Sequence, residues 1–202
     1  MPSGSPRSGA SRANRIQIAA LVIACGAHET RAAETETAIF AGGCFWCVED
    51  AFDQVDGVTE TISGYAGGTK PNPNYGDHEG YVEAVKVTYD PAKVTYAKLL
   101  DQFWRNVDPF DPDGQFCDQG SAYRTVVFVA NDAEKELAEK TKEEIAARLK
   151  QKVATDIKPV TTFTAAEDYH QDYHHTNPVS YKYYKWGCGR AQRLAEIWGK
   201  PS

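Results

Sequence analysis

Residues 42–47 read Gly42-Gly43-Cys44-Phe45-Trp46-Cys47 and lie between an apolar run, residues 37–41, and a helical pattern at residues 48–52. The apolar run predicts a short buried strand, so Cys44 is expected at a strand-to-helix turn. The unpaired backbone N–H groups of a helix N-terminus favour a thiolate, which is the reactive form of cysteine. Two large aromatic side chains follow at once. The stretch therefore predicts a nucleophilic cysteine beside an apolar pocket.

The composition describes a single domain of ordinary size. Of the 202 residues, 42% are hydrophobic, which is enough to bury a core. The formal net charge of -6 argues against a nucleic-acid partner, because phosphate binding requires clustered Lys and Arg side chains. The sequence contains no motif for a nicotinamide or a flavin, so we expect no bound cofactor, and we expect the chain to act as a monomer.

Residues 1–33 are typical of a targeting segment. Three arginines, Arg7, Arg12 and Arg15, precede an apolar stretch at residues 16–27, which is the order found in an export signal. Cleavage between residues 27 and 33 would release a soluble exported protein, which in a bacterium would be periplasmic.

A second outcome is possible for the same segment. Val22-Ile23-Ala24-Cys25 resembles a lipobox, in which Cys25 would be acylated and would anchor the protein to a membrane. An organellar or cytoplasmic location is the alternative to export. In each case we expect residues 34–202 to form a single catalytic domain.

Strand-like and helical patterns alternate from residue 37 onward. Thr95 is a candidate N-cap for one helix, and Asp132 is a candidate N-cap for a long helix that reaches about residue 151. Past Phe163 the periodicity fades into a coil rich in Tyr and His. The order predicts an α/β fold, a two-layer sandwich with a mixed sheet and a long coiled C-terminal tail. Further strands are predicted at residues 58–65, 82–89 and 124–130.

Glu83 is the candidate proton donor for a reaction at the thiol. It lies within a strand pattern, where a buried carboxyl group tends to stay protonated. Such a group can act as a general acid near neutral pH. Tyr75, in a loop of turn-forming residues, is expected to be displayed. Asp118 and Tyr123 lie in a polar loop that could supply hydrogen bonds.

Taken together, these residues resemble peptide methionine sulfoxide reductase A, the family that reduces the S epimer of methionine sulfoxide. The resemblance extends from about residue 40 to residue 177, and the landmarks appear in the family's order. It implies the family's fold, with a ferredoxin-like core. Besides Gly43-Cys44-Phe45-Trp46, the landmarks are Asn72-Pro73-Asn74-Tyr75, Glu83-Ala84-Val85, Tyr89-Asp90-Pro91, Phe103-Trp104 and Tyr169-His170-Gln171.

The resemblance implies a role for each candidate residue. Cys44 would attack the sulfoxide sulfur and become a sulfenic acid, and Glu83 would protonate the leaving oxygen. Phe45 and Trp46 would hold the substrate methyl group. Tyr75 and Tyr123 would donate hydrogen bonds to the sulfoxide oxygen, and Asp118 would help to hold the polar side of the site. The loop between Tyr75 and Glu83 is shorter than the family's usual loop.

The resemblance leaves open which thiol reduces the sulfenic acid. Cys188 is the first choice, because the family usually uses this end of the chain and two glycines flank the residue. Cys47 is the alternative, since one helical turn separates it from Cys44. Cys117, beside Asp118, could pair with Cys47 in a structural or relay disulfide. The partners implied are oxidised proteins or peptides and a dithiol reductant such as thioredoxin.

Two other classes of function fit part of the sequence. The Cys44-x-x-Cys47 spacing is also found in thioredoxin-like oxidoreductases, although that interpretation leaves Glu83 without a role. Alternatively, the same two cysteines could join His170 and His174 in a zinc-stabilised binding module. The histidines are better explained as packing or surface residues, so no metal is expected.

Overall fold

The computed structural model describes residues 34–199, so the predicted targeting segment lies outside the described residues. The strands are β1 (Glu36–Gly42), β2 (Val58–Ala66), β3 (Val82–Tyr89), β4 (Gly114–Gln115), β5 (Asp118–Gln119), β6 (Thr125–Val129), β7 (Asp156–Pro159) and β8 (Phe163–Ala165). The helices are α1 (Phe45–Asp53), α2 (Tyr96–Arg105), α3 (Asp132–Leu149), α4 (Tyr173–Thr176), α5 (Pro178–Gly187) and α6 (Arg190–Trp198). Single 3-10 turns lie at Ser121–Tyr123 and Asp168–His170.

The main sheet is mixed and has the order β7-β6-β1-β3-β2-β8. All neighbouring strands pair antiparallel except β6 and β7, which pair parallel. The elements β1-α1-β2-β3-α2-β6 follow one another in the chain, and their four strands lie in the order β6-β1-β3-β2. This is the βαββαβ arrangement of a ferredoxin-like core. The predicted α/β fold with a mixed sheet is therefore confirmed.

The main core lies between the sheet and the helices. In β1, Ala38 and Phe40 belong to this core, whereas Ile39 and Ala41 belong to a smaller cluster of strand residues, because successive side chains point to opposite faces. From α2 the core receives four buried side chains at helical spacing, Leu99, Leu100, Phe103 and Trp104. β1 leads to the cysteine motif, and β3 carries Glu83. These two strands lie side by side at the centre of the sheet.

Most predicted elements are present, with shifted ends. β3 has the predicted bounds, and Thr95 caps α2 by accepting the backbone N–H of Lys98 at 3.3 Å. The predicted cap of α3 was wrong by one residue: the side chain of Asn131 accepts the N–H of Glu134 at 2.9 Å, and Asp132 is the first helical residue. No helix within residues 34–199 is both long enough and apolar enough to cross a bilayer.

The predicted coiled tail is not what the structure contains, because α4, α5 and α6 occupy most of it. Its aromatic residues lie on both the buried and the exposed faces of the helices, which hides the helical period from the sequence. In α5, Tyr181 is 5% exposed, whereas Tyr183 and Trp186 are 74% and 82% exposed. Pro178 at the first turn of α5 and Gly189, with φ of +65°, before α6 fit the two helix starts.

Candidate active site

Cys44 lies at the turn between β1 and α1, as predicted. It is the N-cap of α1, and its carbonyl oxygen accepts the N–H groups of Cys47 at 3.1 Å and Val48 at 3.3 Å. The preceding Gly43 has φ of +84°, and a Cβ atom there would lie 2.5 Å from Cβ of Gln115. Only glycine satisfies both conditions without rearrangement. Gly43 is therefore needed to bring the chain through this turn.

Cys44 and Cys47 form a buried thiol pair. They are 5% and 3% exposed, and both are free thiols. Burial and the hydrogen-bonded Cys47 raise the pKa of Cys44, whereas the hydrogen bond from Cys44 lowers the pKa of Cys47 to about 6. Burial outweighs the helix N-terminus at Cys44, so its pKa is raised and not lowered as the sequence predicted.

Glu83 is the protonated carboxyl group that its strand position predicts. Its residue is 2% exposed, and Oε2 accepts the backbone N–H of Phe45 at 3.0 Å, at the first turn of α1. Burial raises the pKa of Glu83 to about 8, and the charges of Asp118 and Cys47 add to this effect, while the Phe45 hydrogen bond opposes it. The side chain is thus a proton donor at neutral pH beside the start of the helix that Cys44 caps.

The other polar candidates surround the same thiol. The charges of Glu83 and Cys44 contribute to the raised pKa values of both Tyr75 and Tyr123, after the larger effect of burial. Tyr75 is 43% exposed, as expected for a displayed loop residue, and its N–H donates to Glu167 at 2.9 Å. The pKa of Asp118 is raised by burial. Tyr75 and Tyr123 thus interact electrostatically with Cys44, and Asp118 interacts with Glu83.

The two aromatic residues after Cys44 differ in environment. Phe45 is 1% exposed and packs in the core, with its ring centroid 4.9 Å from that of His170. Trp46 is half-buried, and its indole N–H donates to Nδ1 of His170 at 3.2 Å. One face of the indole stacks on Tyr173 of α4 at 3.8 Å. Of the two rings, Trp46 is therefore the one nearer to solvent, and Phe45 is the one buried in the core.

The outer cysteines form a disulfide that the sequence did not predict. Cys117 and Cys188 are bonded, with their Cα atoms 4.8 Å apart, so the expected pairing of Cys117 with Cys47 was wrong. Cys117 lies in the two-residue turn between β4 and β5, where Phe116 has φ of +58° and contacts the Arg190 guanidinium through its ring. This turn carries Cys117 to the end of α5, whereas Cys47 stays inside α1.

Tyr184 is a site residue that the sequence analysis missed. Its hydroxyl donates a short hydrogen bond to Asp118 and also contacts the thiol of Cys44, whose pKa it lowers. Tyr181, three residues earlier, donates to Asp50 at 2.7 Å and contacts Cys47. Residues 181, 184 and 188 are three and four apart, which is the spacing of one helix face. That spacing was the available signal, and the prediction of a coil concealed it.

The alternative zinc set is not assembled. His170 accepts a hydrogen bond from Trp46, and His174 faces the carboxylates of Glu49 and Asp53 rather than the cysteines. Within residues 34–199, Cys44 and Cys47 join no group of three potential metal ligands. His170 and His174 are buried, and His175 is exposed.

Comparison with known proteins agrees with this geometry. A family model for peptide methionine sulfoxide reductase matches residues 36–202. Peptide methionine sulfoxide reductase MsrA 2 of Rhizobium meliloti (strain 1021) is 48% identical over 171 residues, which are 84% of this chain and 86% of that protein.

Two solved structures of Mxr1 from Saccharomyces cerevisiae are also similar. The reduced form has a TM-score of 0.66 and 35% identity, and the match covers 73% of this chain and 88% of that chain. Mxr1 in complex with Trx2 has a TM-score of 0.51 and 29% identity, covering 72% of this chain and 91% of that chain. Sequence, fold and site geometry agree that this chain belongs to the peptide methionine sulfoxide reductase A family and is an oxidoreductase that reduces peptide methionine sulfoxide.

Proposed function

We propose that the protein reduces the S epimer of methionine sulfoxide, free or in proteins, and thereby repairs oxidised proteins. The observation that carries this proposal is the meeting of three groups at the start of α1: the free, buried thiols of Cys44 and Cys47, which contact each other, and the buried Glu83 carboxyl group, which accepts the Phe45 N–H. A sulfoxide needs a nucleophile at sulfur and a proton at oxygen, and this arrangement supplies both.

The first chemical step follows from the charges of the thiol pair. Cys47 takes the proton of Cys44 as the Cys44 sulfur attacks the sulfoxide sulfur, and Glu83 gives its proton to the sulfoxide oxygen. The hydroxyl group then passes from the methionine sulfur to the Cys44 sulfur, the transient bond between the two sulfur atoms breaks, methionine leaves with two electrons from Cys44, and Cys44 becomes a sulfenic acid. The sulfoxide oxygen is then carried by Cys44.

We propose Cys47 as the thiol that resolves this sulfenic acid. It hydrogen-bonds to Cys44, whereas Cys188, the first choice from the family resemblance, is bonded to Cys117. Attack of the Cys47 sulfur on the Cys44 sulfur forms a disulfide and releases water. Because Cys44 and Cys47 are buried, an external reductant cannot reach the disulfide between them directly. Electrons would have to pass through thiols nearer to the surface. The Cys117–Cys188 pair, with Cys117 exposed, is the candidate second relay. Once the external dithiol has reduced it to two thiols, it would reduce the Cys44–Cys47 disulfide and return to a disulfide itself.

Epimer selection requires three points of contact around the substrate sulfur. We propose that Glu83, Tyr75 and Tyr123 hold the oxygen, that Trp46, with Phe45 beneath it, receives the methyl group, and that Asp118 holds the polar side. Tyr184 occupies the space between Asp118 and Cys44, so it has to yield to the substrate. In the S epimer, the oxygen would face the polar residues while the methyl group faces Trp46. In the R epimer, the positions of the oxygen and the methyl group would be exchanged.

We propose that an external dithiol of the thioredoxin class completes the cycle, with no bound cofactor, and that the protein acts as a monomer. Support for the reductant comes from the similar yeast protein, whose structure contains Trx2. We also propose export, with the protein soluble in the periplasm or anchored through Cys25. Mass spectrometry of the mature N-terminus tests the location: a mature chain that keeps residues 1–33 contradicts export.

The test of the function is turnover of separated epimers. Purified protein is incubated with the R or the S epimer of a blocked methionine sulfoxide and dithiothreitol, beside the Cys44→Ser variant, and the methionine formed is measured. We expect turnover of the S epimer alone, lost in the variant. Equal turnover of both epimers contradicts the proposed selectivity, and turnover that survives Cys44→Ser contradicts the mechanism.

A further inference from the structure

Three potential metal ligands meet on the side of α1 that the proposed reaction does not use. They are Asp53, in the last turn of α1, and His174 and His175 of α4. One ligand atom of each lies within 4.8 Å of the others, and Oδ2 of Asp53 is 3.2 Å from Nε2 of His174. In a tetrahedral site with bonds of about 2.0–2.1 Å, neighbouring ligand atoms are roughly 3.3 Å apart. The Asp53–His174 spacing already has that value.

His174 is buried beside two carboxyl groups without a hydrogen bond to either. Its side chain is 5% exposed, and within the described residues neither ring nitrogen makes a hydrogen bond. Burying a polar group without a partner costs free energy, and native structures satisfy such groups with protein atoms, water or ions. The Nε2 atom lies 3.2 Å from Oδ2 of Asp53, and the ring centroid of the exposed His175 is 4.0 Å from that of His174. An ion bound by the three side chains would satisfy the buried ring.

Two neighbours are placed as supports for a metal-bound pair. Glu49, fully buried and one helical turn before Asp53, has Oε2 4.0 Å from Nδ1 of His174. Thr61 donates to Oδ1 of Asp53 at 2.5 Å, which leaves Oδ2 facing the histidines. A carboxylate behind a histidine and a hydrogen bond behind a carboxylate are the usual outer partners of metal ligands.

We propose that Asp53, His174 and His175 form a binding site for a divalent transition-metal ion such as Zn²⁺, with the Glu49 carboxyl group 4.0 Å behind His174. Two imidazoles and one carboxylate suit this class of ion, whereas Ca²⁺ and Mg²⁺ prefer oxygen ligands alone. The ion would tie α4 to α1. Because Tyr173 of α4 stacks on Trp46, an occupied site would fix the Tyr173 ring against the indole.

Calorimetric titration with Zn²⁺ tests the proposal on the full chain. The Cys44→Ser/Cys47→Ser background removes the two free thiols of the described residues as competing ligands, and omitting reductant keeps Cys117 and Cys188 bonded. We expect about one equivalent of Zn²⁺ to bind and the thermal unfolding temperature to rise, with no such effect of Ca²⁺. The Glu49→Gln variant should bind about 10–100-fold more weakly.

Histidine variants decide where the ion binds. His175 is exposed, so His175→Ala should fold normally and should lose both the tight binding and the stabilisation by Zn²⁺. His174→Ala should behave in the same way where it folds. His78→Ala is the matched control, because His78 lies in another loop, and it should bind as the background protein does. Absent binding, or binding that survives His175→Ala, overturns the proposal.

Discussion

Replacing Glu83 by glutamine removes the acidic proton of this side chain and keeps its size and shape nearly unchanged. A glutamine carbonyl can still accept the Phe45 N–H that Glu83 accepts at 3.0 Å, so the first turn of α1 keeps its partner. The amide cannot give a proton to a sulfoxide oxygen. The variant therefore tests general acid catalysis rather than packing.

The magnitude follows from the raised pKa of Glu83. With a pKa of about 8, about 90% of the side chains are protonated at pH 7, whereas a carboxyl at 4.5 would be protonated in about 0.3%. Burial thus increases the fraction of active acid roughly 300-fold. Loss of a positioned general acid slows a reaction by about 10²–10⁴-fold. We expect Glu83→Gln to slow methionine formation by a factor in that range.

The assay is a single turnover. Reduced protein in excess is mixed with the S epimer of a blocked methionine sulfoxide, and methionine is quantified over time between pH 5 and 9.5. Single turnover excludes the later thiol steps, so the rate reports sulfoxide reduction alone. In the parent protein the rate should fall as the pH rises through about 8, because Glu83 loses its proton there. In Glu83→Gln that fall should be absent.

A matched control and a refuting result complete the experiment. Asp90 is also a buried carboxyl and directly follows β3, but its Oδ1 accepts the N–H of Ala92 in a turn. Asp90→Asn should keep both the rate and the fall near pH 8. A folded Glu83→Gln protein that reacts within about tenfold of the parent would refute the assignment of Glu83 as the general acid.

Three further predictions concern the same turn. The single-turnover rate should also rise with pH through about 6, where Cys47 becomes able to take the Cys44 proton, and a rate independent of pH below 7 would contradict that role. Cys47→Ser should release one methionine more slowly than the parent, because serine does not take the Cys44 proton, and should then stop at a sulfenic acid, detected by a dimedone adduct in mass spectrometry. Continued formation of a Cys44–Cys188 disulfide would instead favour Cys188. Gly43→Ala should lower the free energy of unfolding by about 1–3 kcal/mol in urea titration, because its Cβ would clash with Gln115, and an unchanged midpoint would contradict the geometry.

The parts that the sequence predicts correctly are those set by neighbours in the chain. The apolar run before Gly42 and the glycine pair place Cys44 at a helix start, and the alternating pattern of β3 has the observed bounds. The position of Glu83 within a strand was enough to predict a protonated carboxyl. These features depend on local periodicity and on the cost of burying charge.

The parts that the sequence does not predict depend on contacts between distant segments. Cys117 and Cys188 are 71 residues apart, and only the packed tail shows that they meet. Tyr184 reaches Asp118 and Cys44 from a helix whose aromatic residues occupy two faces, so no clear period marks it. The charge of the thiol pair also required structure, because the spacing of Cys44 and Cys47 does not reveal that both are buried.

In the proposed relay, the disulfide between Cys117 and Cys188 links the resistance of the protein to unfolding with its supply of electrons. Closing a loop of 71 residues lowers the chain entropy of the unfolded state by an amount worth about 4 kcal/mol. A pool of this protein kept reduced is accordingly easier to unfold and to degrade than an oxidised pool. Oxidants also create methionine sulfoxide, so the conditions that raise the demand for repair are those under which the repairing enzyme persists longest.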